Sequence, residues 1–381
     1  MTNFTFVTPG RVVVEWGGAV AGRLAEEAAR LGQRPLVVAG SSLQKSGKLD
    51  AILATLYAVG LSPIVHTGVS PEPDLDALQA AMNAAEGADS VIAIGGGSVL
   101  DVAKGAAALA GTGHSARDYH AGKVAVPDAV NRPILAVPTT AGTGSEATWV
   151  GVYTDKDAGR KASIRGGAMM PGVAFLDAEL TVSCPPSVTA YSGMDAFVQA
   201  VEAYTSVGAN PLTDGLAREA TRLTGKNLLR AYNDGTNREA REAMLLGSYM
   251  AGVALNTSRL GLVHGLAHPI GAITGAAHGL LCGLLMPAVI HFNAQTSETR
   301  YATALLVGFN RATGESSADE LVSRLENWLR DTAIPTRLSE IGLREEHIDA
   351  VAAEAMVSGS TKANPRPVTV EEARAVLRAC L

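Results

Sequence analysis

Four histidines lie in a stretch of the chain that carries no charged side chain. Residues 260–297 contain no Asp, Glu, Lys or Arg, and the histidines in this stretch are His264, His268, His278 and His291. Imidazole is the commonest metal-binding side chain and titrates near neutral pH. His264 and His268 are four residues apart, so they share one face of a helix. Apolar surroundings of low dielectric constant would strengthen the binding of a cation. The stretch therefore predicts a buried histidine cluster that serves a metal ion or catalysis.

A membrane span is the main alternative for such a run, since about 20 apolar residues can cross a bilayer. Pro269, Pro287, several glycines and the histidines interrupt this run, and no excess of Lys or Arg flanks it. One histidine on an apolar face is usually a satisfied core residue, but three lie within residues 264–278. We therefore favour a metal or catalytic site over a membrane span.

An earlier helical segment offers a carboxylate for the same site. Asp195, Gln199 and Glu202 are spaced four and then three residues apart, so they lie along one stripe of the helix. The rest of that stripe is apolar, so Asp195 is expected to be buried and to need a partner. A cation held with His264 and His278 would be such a partner. Glu202 is a candidate for a structural hydrogen bond nearby.

Two loops of small residues predict a phosphate-binding site. Gly95, Gly96, Gly97 and Ser98 follow a buried strand and open a helix, whose regular part we expect at Asp101 to Ala110. Glycines let backbone N–H groups approach a pyrophosphate, and a helix N-terminus adds favourable partial charge. Such a turn alone is weak evidence, because strand-to-helix glycine turns are often purely structural.

The second loop strengthens this interpretation. Thr139, Thr140 and Thr143 follow another buried strand and alternate with glycine and alanine. Hydroxyl groups at the carboxyl end of a strand suit phosphate and ribose contacts in an open α/β sheet. Lys161, in the strand-like segment RKASIR, could reach the same ribose or phosphate, or could be a solvated surface lysine. The two loops together make a dinucleotide site the favoured prediction.

The elements that position these residues fall into two halves. Up to about residue 180, β-branched runs alternate with amphipathic helical segments, which predicts a parallel sheet with helices on both faces. Beyond about residue 186 the chain reads as helices alone, and Pro185 and Pro186 mark the boundary. We predict an α/β dinucleotide-binding domain at residues 1–185 and an all-helical metal-binding and substrate domain at residues 186–381.

Composition narrows the class of protein. The 381 residues carry a net charge of −6 without any long basic run, so we expect no nucleic-acid partner. Cys184, Cys282 and Cys380 are odd in number and far apart, which argues against a disulfide framework and against CxxC metal spacing. The N-terminal residues lack the pattern of a signal peptide. We expect a cytoplasmic protein without a membrane partner.

Four segments resemble successive signatures of the iron-containing (group III) alcohol dehydrogenases. They are GGGSVLDVAK, PTTAGTGSEAT, GMDAFVQAVEAY and HGLAHPIGAITGAAHG, and the resemblance extends over essentially the whole chain. It implies a dehydroquinate synthase-like architecture, with an α/β dinucleotide-binding domain, an all-α metal-binding domain and a cleft between them. It also implies NAD or NADP, a divalent metal ion (Fe²⁺ or Zn²⁺), and a homodimer. The implied reaction is reversible hydride transfer between a small alcohol or aldehyde and the nicotinamide.

The resemblance also assigns roles in the metal site. Asp195, His264 and His278 match three of the family's metal ligands, and Gln199 stands where a fourth ligand, a histidine, is usual. His268 matches the second histidine of the HxxxH motif, which lies near the substrate. We therefore expect His268 and His278 to be catalytic, and Asp195, Gln199, His264 and His278 to face the metal ion.

In the nucleotide site the resemblance assigns the pyrophosphate side to Gly96, Gly97, Ser98 and Asp101. It assigns phosphate, ribose and nicotinamide contacts to Thr139, Thr140, Thr143 and Lys161. Many members end the second strand in an Asp that binds the ribose, but this chain has Gly40, followed by Ser41. Without that carboxylate a 2′-phosphate is not repelled, so NADP is acceptable as well as NAD. The usual Pro-Asn-Pro turn reads Pro71, Glu72, Pro73 here.

Gln199 leaves several alternatives open. An amide oxygen is a neutral and weaker ligand than imidazole. Three protein ligands plus water suffice for a catalytic zinc site, as in the related glycerol dehydrogenases. Iron with a glutamine ligand, zinc with three ligands, and a metal-poor nucleotide-binding protein without dehydrogenase activity all stay possible. A lyase of the dehydroquinate synthase type is disfavoured, because the metal motif lacks the basic residues that a phosphorylated substrate needs.

Overall fold

A computed structural model describes residues 4–309 and 317–381 of the chain. It consists of two compact units, which we call the α/β unit and the helical unit. The α/β unit comprises Thr8–Thr140 and Ser145–Val182. The helical unit comprises residues 4–7, Ala141–Gly144 and the described part of Ser183–Leu381. The domain limits 1–185 and 186–381 stay a prediction, from which the units differ at residues 4–7, 141–144 and 183–185.

The α/β unit is built on a parallel sheet of six strands. The strands of the unit are β1 (Arg11–Val14), β2 (Pro35–Ala39), β3 (Ile64–Thr67), β4 (Ser90–Gly95), β5 (Ile134–Pro138), β6 (Val150–Asp155), β7 (Arg160–Arg165) and β8 (Val173–Leu176). The sheet has the order β1-β8-β5-β4-β2-β3, and β6 pairs with β7 as a separate antiparallel hairpin. Every residue of β2, β4 and β5 is buried, as expected for strands covered on both faces. The sequence analysis did not anticipate β6 and β8.

Six helices complete this unit. They are α1 (Val20–Leu31), α2 (Ser41–Lys45), α3 (Lys48–Ala58), α4 (Leu75–Ala84), α5 (Gly97–Leu109) and α6 (Ala116–His120). Helix α5 begins at Gly97, so the glycine segment does open the helix, and the regular part starts four residues before the expected Asp101. Gly96 has the extended conformation of an N-cap residue (φ −74°, ψ 179°), and the helix follows directly. Gly96 is therefore the N-cap residue, and Gly97 begins the first turn of the helix.

The helical unit contains eight longer helices. They are α7 (Pro186–Thr205), α8 (Pro211–Asn233), α9 (Arg238–Ser258), α10 (Leu262–Thr274), α11 (His278–Gly308), α12 (Ala318–Asp331), α13 (Ile348–Val357) and α14 (Val370–Cys380). Helix α7 packs against α8, α9 and α11. Pro211 occupies the first turn of α8, where its missing N–H costs nothing, and Asn210 caps that helix. Most of α7 is buried, so its polar residues need partners inside the unit.

The charge-free stretch forms two helices that supply much of the core. Helix α10 ends at Gly275, whose φ of 67° lies in the left-handed region that glycine favours. Helix α11 begins three residues later, at His278. Leu266 of α10 and Leu281 of α11 are fully buried in the core of the unit. Within residues 4–309 and 317–381, no helix has the length and hydropathy needed to cross a membrane.

Candidate metal centre and nucleotide loops

The helical unit brings together a carboxylate, two imidazoles and a thiol from three helices. Asp195 lies on α7, His264 on α10, and His278 and Cys282 on α11. One potential ligand atom from each of these side chains lies within 4.8 Å of the other three. Asp195 Oδ1 is 3.4 Å from His264 Nε2 and 3.8 Å from His278 Nε2. The structure thus places the predicted residues Asp195, His264 and His278 in one cluster.

Cys282 belongs to this cluster although the sequence analysis did not select it. Its Sγ lies 3.6 Å from His278 Nε2 and 3.8 Å from His264 Nε2. His278 is the first residue of α11, and Cys282 follows one turn later on the same face. A spacing of four within the charge-free stretch was the available signal.

The cluster is suited to a cation because one of its buried oxygens accepts no hydrogen bond from the described residues. Asp195 is 2% exposed, and its Oδ1 accepts no hydrogen bond from any residue in the described ranges. Leaving such an atom buried without a partner is costly. Carboxylate oxygen, imidazole nitrogen and thiol sulfur are all established ligands for zinc. The residues present therefore fit a divalent metal ion.

Glu202 orients the imidazole of His264. His264 Nδ1 lies 2.5 Å from Glu202 Oε2, and the N–H of Val263 donates to Glu202 Oε1 at 2.8 Å. A proton on Nδ1 leaves the lone pair of Nε2 directed at the cluster, which is the usual arrangement for a metal-binding histidine. The structural hydrogen bond predicted for Glu202 is thus confirmed.

Gln199 contacts the cluster through its amide nitrogen. Its Nε2 donates to Asp195 Oδ2 at 2.9 Å. Its Oε1 is buried and has no hydrogen-bond partner in residues 4–309 or 317–381. The contact shows that Gln199 holds the carboxylate of Asp195. That Gln199 is itself a metal ligand stays a prediction.

The pKa values in the cluster show that its surroundings favour an ionised Asp195 and a protonated His264. Burial raises the pKa of Asp195, but His264, His278 and Gln199 outweigh burial and hold it below its usual value. Burial lowers the pKa of His264, but Cys282, Asp195 and Glu202 raise it well above its usual value. Burial raises the pKa of the Cys282 thiol to about 12. A bound cation would take over the compensating charge that the imidazole otherwise carries.

The other two histidines of the stretch behave differently. The ring of His268 stacks on that of His278, with centroids 5.3 Å apart and 29° between the planes. His268 is only partly buried, so it is next to the cluster and also exposed to solvent. The expectation that His291 joins the buried histidines was wrong. Its side chain is 56% exposed and its Nδ1 lies 3.5 Å from Asp319 Oδ1, because it is thirteen residues along α11 from His278 and on another face.

In the α/β unit, most of the predicted nucleotide-binding residues follow three neighbouring strands. Gly40 and Ser41 follow β2, Gly96, Gly97 and Ser98 follow β4, and Thr139 and Thr140 follow β5. The N–H of Gly40 donates to Ile94 O at 3.1 Å, and that of Thr139 to Gly95 O at 2.9 Å. In the sheet, β2 has β3 as its neighbour on one side and β4 as its neighbour on the other, so the strand order reverses at β2. Such a reversal of strand order marks the ligand-binding edge of an open α/β sheet.

Glycine is needed at the end of β4 because other residues approach closely. A Cβ at Gly95 would lie 2.6 Å from Val99 Cβ, and one at Gly96 would lie 3.3 Å from Thr140 Oγ1. The N-terminus of α5 therefore packs directly against the neighbouring loop. The first N–H groups of a helix have no partner within the helix, so anion binding at the start of α5 stays a prediction.

Ser98 and Lys161 are connected through the unusual Pro-Glu-Pro turn. The N–H of Glu72 donates to Ser98 Oγ at 3.2 Å. The ammonium group of Lys161 pairs with the carboxylate of Glu72, and the Lys161 side chain is only 6% exposed. Lys161 is therefore not a solvated surface lysine. Its contact with a nucleotide stays a prediction.

The sequence did not indicate that Asp101 bonds to the protein through both carboxylate oxygens, or that Thr143 belongs to the helical unit. Asp101 Oδ1 accepts a hydrogen bond from Ser145 Oγ at 2.5 Å, and Oδ2 accepts one from the N–H of Val152 at 2.9 Å. Both oxygens thus bind the protein, which favours a role in positioning residues 145–152 over direct contact with a pyrophosphate. Thr143 lies in Ala141–Gly144, which belongs to the helical unit. Their contacts with a nucleotide are untested.

Two buried charges were missed. Lys104 is fully buried and its Nζ donates to Ser145 O at 2.9 Å and to Thr148 Oγ1 at 3.0 Å. Burial lowers the pKa of Lys104. Burial raises the pKa of Glu146 to about 7, and Glu146 Oε1 has no partner within the described part of the chain. A single charge within a run of small apolar residues was the only signal in the sequence for either group.

A parallel sheet with these loops and a helical unit with this cluster are the features expected of a metal-dependent dehydrogenase. Two family models match the chain. The model described as iron-containing alcohol dehydrogenase matches residues 9–178, and that of the C-terminal part of the Fe-containing alcohol dehydrogenase family matches residues 189–381. The chain belongs to the iron-containing alcohol dehydrogenase family.

Individual proteins agree with this assignment. The chain is 33% identical over 390 residues to the NAD-dependent methanol dehydrogenase of Bacillus methanolicus, covering 100% of both. It is 34% identical over 366 residues to the lactaldehyde reductase of Escherichia coli strain K12, covering 94% of both. A solved alcohol dehydrogenase from Oenococcus oeni superimposes with a TM-score of 0.93 at 32% identity, covering 100% of both chains. The chain is accordingly a metal-dependent, nicotinamide-linked oxidoreductase that acts on alcohols or aldehydes, and the predicted fold class is confirmed.

Proposed function

We propose that this enzyme interconverts a small primary alcohol and its aldehyde, with a divalent cation held by Asp195, His264 and His278. The observation that carries the proposal is the buried Asp195 Oδ1, which faces two imidazoles. When bound, the cation acts as a Lewis acid towards the oxygen of an alcohol or aldehyde. A nicotinamide coenzyme would supply the hydride-transfer chemistry.

His268 would carry the proton that the alcohol loses. Its ring stacks on His278 and is partly exposed, so one side is next to the cluster and the other side is open to water. A histidine in this environment can shuttle protons near neutral pH. His278 would thus act both as a ligand and as the surface against which His268 is held.

The coenzyme would be either NAD or NADP, bound along the ends of β2, β4 and β5. Gly40 ends β2 without the carboxylate that would repel a 2′-phosphate, and Ser41 follows with a hydroxyl group. Gly96, Gly97 and Ser98 would bind the pyrophosphate at the start of α5. Thr139, Thr140, Thr143 and Lys161 would bind the phosphate, ribose and nicotinamide portions.

We also propose that the enzyme works as a homodimer in the cytoplasm. Strand β1 is at the edge of the sheet, and its residues Val12 and Val14 are 38% and 42% exposed. An apolar edge strand readily pairs with another chain. Replacement of Val12 by Lys should therefore increase the monomer fraction measured by light scattering. An unchanged molar mass would show that β1 does not form the contact between the two subunits.

The decisive test is elemental analysis of protein purified without added metal, together with oxidation of NADH and NADPH in the presence of short aldehydes. About one equivalent of a divalent metal with turnover would support the proposal. Loss of turnover on chelation, and recovery with added iron or zinc, should accompany it. Protein that lacks metal and stays inactive after addition of iron or zinc would instead favour the nucleotide-binding protein without dehydrogenase activity.

A further inference from the structure

The cluster contains four donor atoms, and the four separations from the carboxylate and the thiol to the two imidazoles are close to those of a tetrahedral zinc site. Nitrogen and oxygen ligands about 2.0–2.1 Å from zinc are about 3.3 Å apart in tetrahedral geometry, and sulfur at about 2.3 Å lies about 3.5 Å from nitrogen. The separations from Asp195 Oδ1 to the imidazoles of His264 and His278 are 3.4 and 3.8 Å. Those from Cys282 Sγ to the same imidazoles are 3.8 and 3.6 Å. Only small movements would therefore place all four atoms on one ion.

The position of Cys282 suits a metal ligand more than a residue that only fills the core. Its side chain is fully buried, and its sulfur contacts the two imidazole nitrogens that also face Asp195. A cysteine used only for packing has no need of two metal-binding histidines as neighbours. Cys380, the other buried cysteine, lies on α14 and is not part of the cluster.

The amide of Gln199 is already engaged on the other side of the carboxylate. Its nitrogen donates to Asp195 Oδ2, while Oδ1 is the oxygen that faces the imidazoles. Gln199 therefore holds the carboxylate of Asp195 through Oδ2, while its own Oε1 is buried and accepts no hydrogen bond from the described residues. The position in which the family usually has a histidine ligand is thus occupied by a positioning residue.

We propose that Cys282 Sγ is the fourth protein ligand of the metal ion in place of Gln199, and that the resulting Asp–His–His–Cys site prefers Zn²⁺ to Fe²⁺. Soft thiolate ligands favour zinc among the ions available to such a site. The inference rests on the proposed function only in that Asp195, His264 and His278 hold the ion. Binding is not a redox step: the S–H bond breaks, its proton goes to solvent, and the sulfur electron pair binds the cation.

The experiment compares the full-length wild type with Cys282→Ser, Cys380→Ser and Gln199→Ala after loading with Zn²⁺ or Co²⁺. X-ray absorption at the zinc edge should show one sulfur at about 2.3 Å in the wild type, in Cys380→Ser and in Gln199→Ala. The cobalt forms of these three proteins should show a thiolate-to-cobalt charge-transfer band. Cys282→Ser should lack both signals. Circular dichroism of the apoproteins checks that each variant is folded.

Competition between the two ions tests the preference. Cys282→Ser should reduce the ratio of Zn²⁺ affinity to Fe²⁺ affinity by at least about tenfold. Loss of a residue that only supports a ligand already costs about 10- to 100-fold in metal affinity. Cys380→Ser should leave the ratio unchanged. A loaded wild-type protein without a sulfur scatterer would overturn the proposal, as would loss of the metal from Gln199→Ala with unchanged binding by Cys282→Ser.

The two proposals fail in different ways. A protein with one zinc–sulfur contact but without alcohol or aldehyde turnover would retain the ligand assignment and remove the proposed function. A protein that turns over aldehydes with a metal bound only by oxygen and nitrogen would retain the function and remove the ligand assignment.

Discussion

Cys282 Sγ lies 3.6 Å from His278 Nε2, and the two residues are one turn apart at the start of α11. A pair of ligands on one rigid helix has its spacing set by the helix itself. Asp195 and His264 must then be brought to this pair by α7 and α10. The metal centre is therefore organised around the first turn of α11.

Glu202→Gln should weaken metal binding without disturbing the fold. The substitution keeps the size of the side chain but removes the charge that holds His264 Nδ1 at 2.5 Å. Such partners typically contribute about 10- to 100-fold to metal affinity. Chelator competition measures the change, and Glu239→Gln, at a side chain that is 79% exposed, is the matched control. Equal affinities in both variants would show that Glu202 does not support the site.

Alanine substitutions at three histidines should have three different effects. His264→Ala should lose the metal and all turnover. His268→Ala should keep the metal and lose about 10²- to 10⁴-fold in kcat, the usual contribution of a proton-transfer group. His291→Ala, at an exposed position away from the cluster, should change neither. Elemental analysis and kcat of the same preparations decide between these roles, and loss of metal from His268→Ala would refute its assignment.

Gly40→Asp should shift the enzyme towards NAD. The backbone at Gly40 is extended (φ −73°, ψ 148°), and a Cβ there would be 3.6 Å from Val99 Cγ2, an ordinary contact. A carboxylate at this position can accept hydrogen bonds from the ribose and repels a 2′-phosphate. We expect the ratio of kcat/KM for NADPH to that for NADH to fall by about tenfold, or about 1.4 kcal/mol. Gly40→Asn is the neutral control, and an equal effect there would exclude charge as the cause.

Glu146 should make the protein less stable as the pH rises. Burial raises its pKa in the folded state to about 7, from the ordinary 4.5 of an exposed glutamate carboxyl. Between these values the unfolded chain has lost the proton and the folded chain has kept it, so the free energy of unfolding falls. The fall is complete above about pH 7 and amounts to about 3 kcal/mol.

Glu146→Gln should remove this pH dependence, because its side chain stays neutral at every pH. Urea unfolding at pH 5 and pH 8 measures the effect, and the variant should exceed the wild type in stability at pH 8. Glu26→Gln, at an exposed position in the same unit, should behave like the wild type. A variant that loses stability with pH as the wild type does would show that Glu146 is not the cause.

The fold was largely predictable because its elements have strong local patterns. The buried strands β2, β4 and β5 consist of consecutive apolar residues, and α7 to α9 have helical periodicity with proline or asparagine at their starts. Strand β8 was missed because it has only four residues, and β6 because a glycine interrupts a weakly alternating run. The start of α5 was misplaced because glycine has poor helix propensity, which the first turn of this helix overrides.

The sequence by itself determined the class of the site: histidines without charged neighbours, an acidic residue on an apolar helix, and glycine turns after strands. These are local features, fixed by residue type and spacing. Only the tertiary structure decided which groups meet. It added Cys282 to the metal cluster, joined the amide of Gln199 to Asp195 Oδ2, and paired Lys161 with Glu72 across 89 residues. Such contacts depend on how separate helices and strands pack, and packing is set by the whole chain and not by any one segment of it.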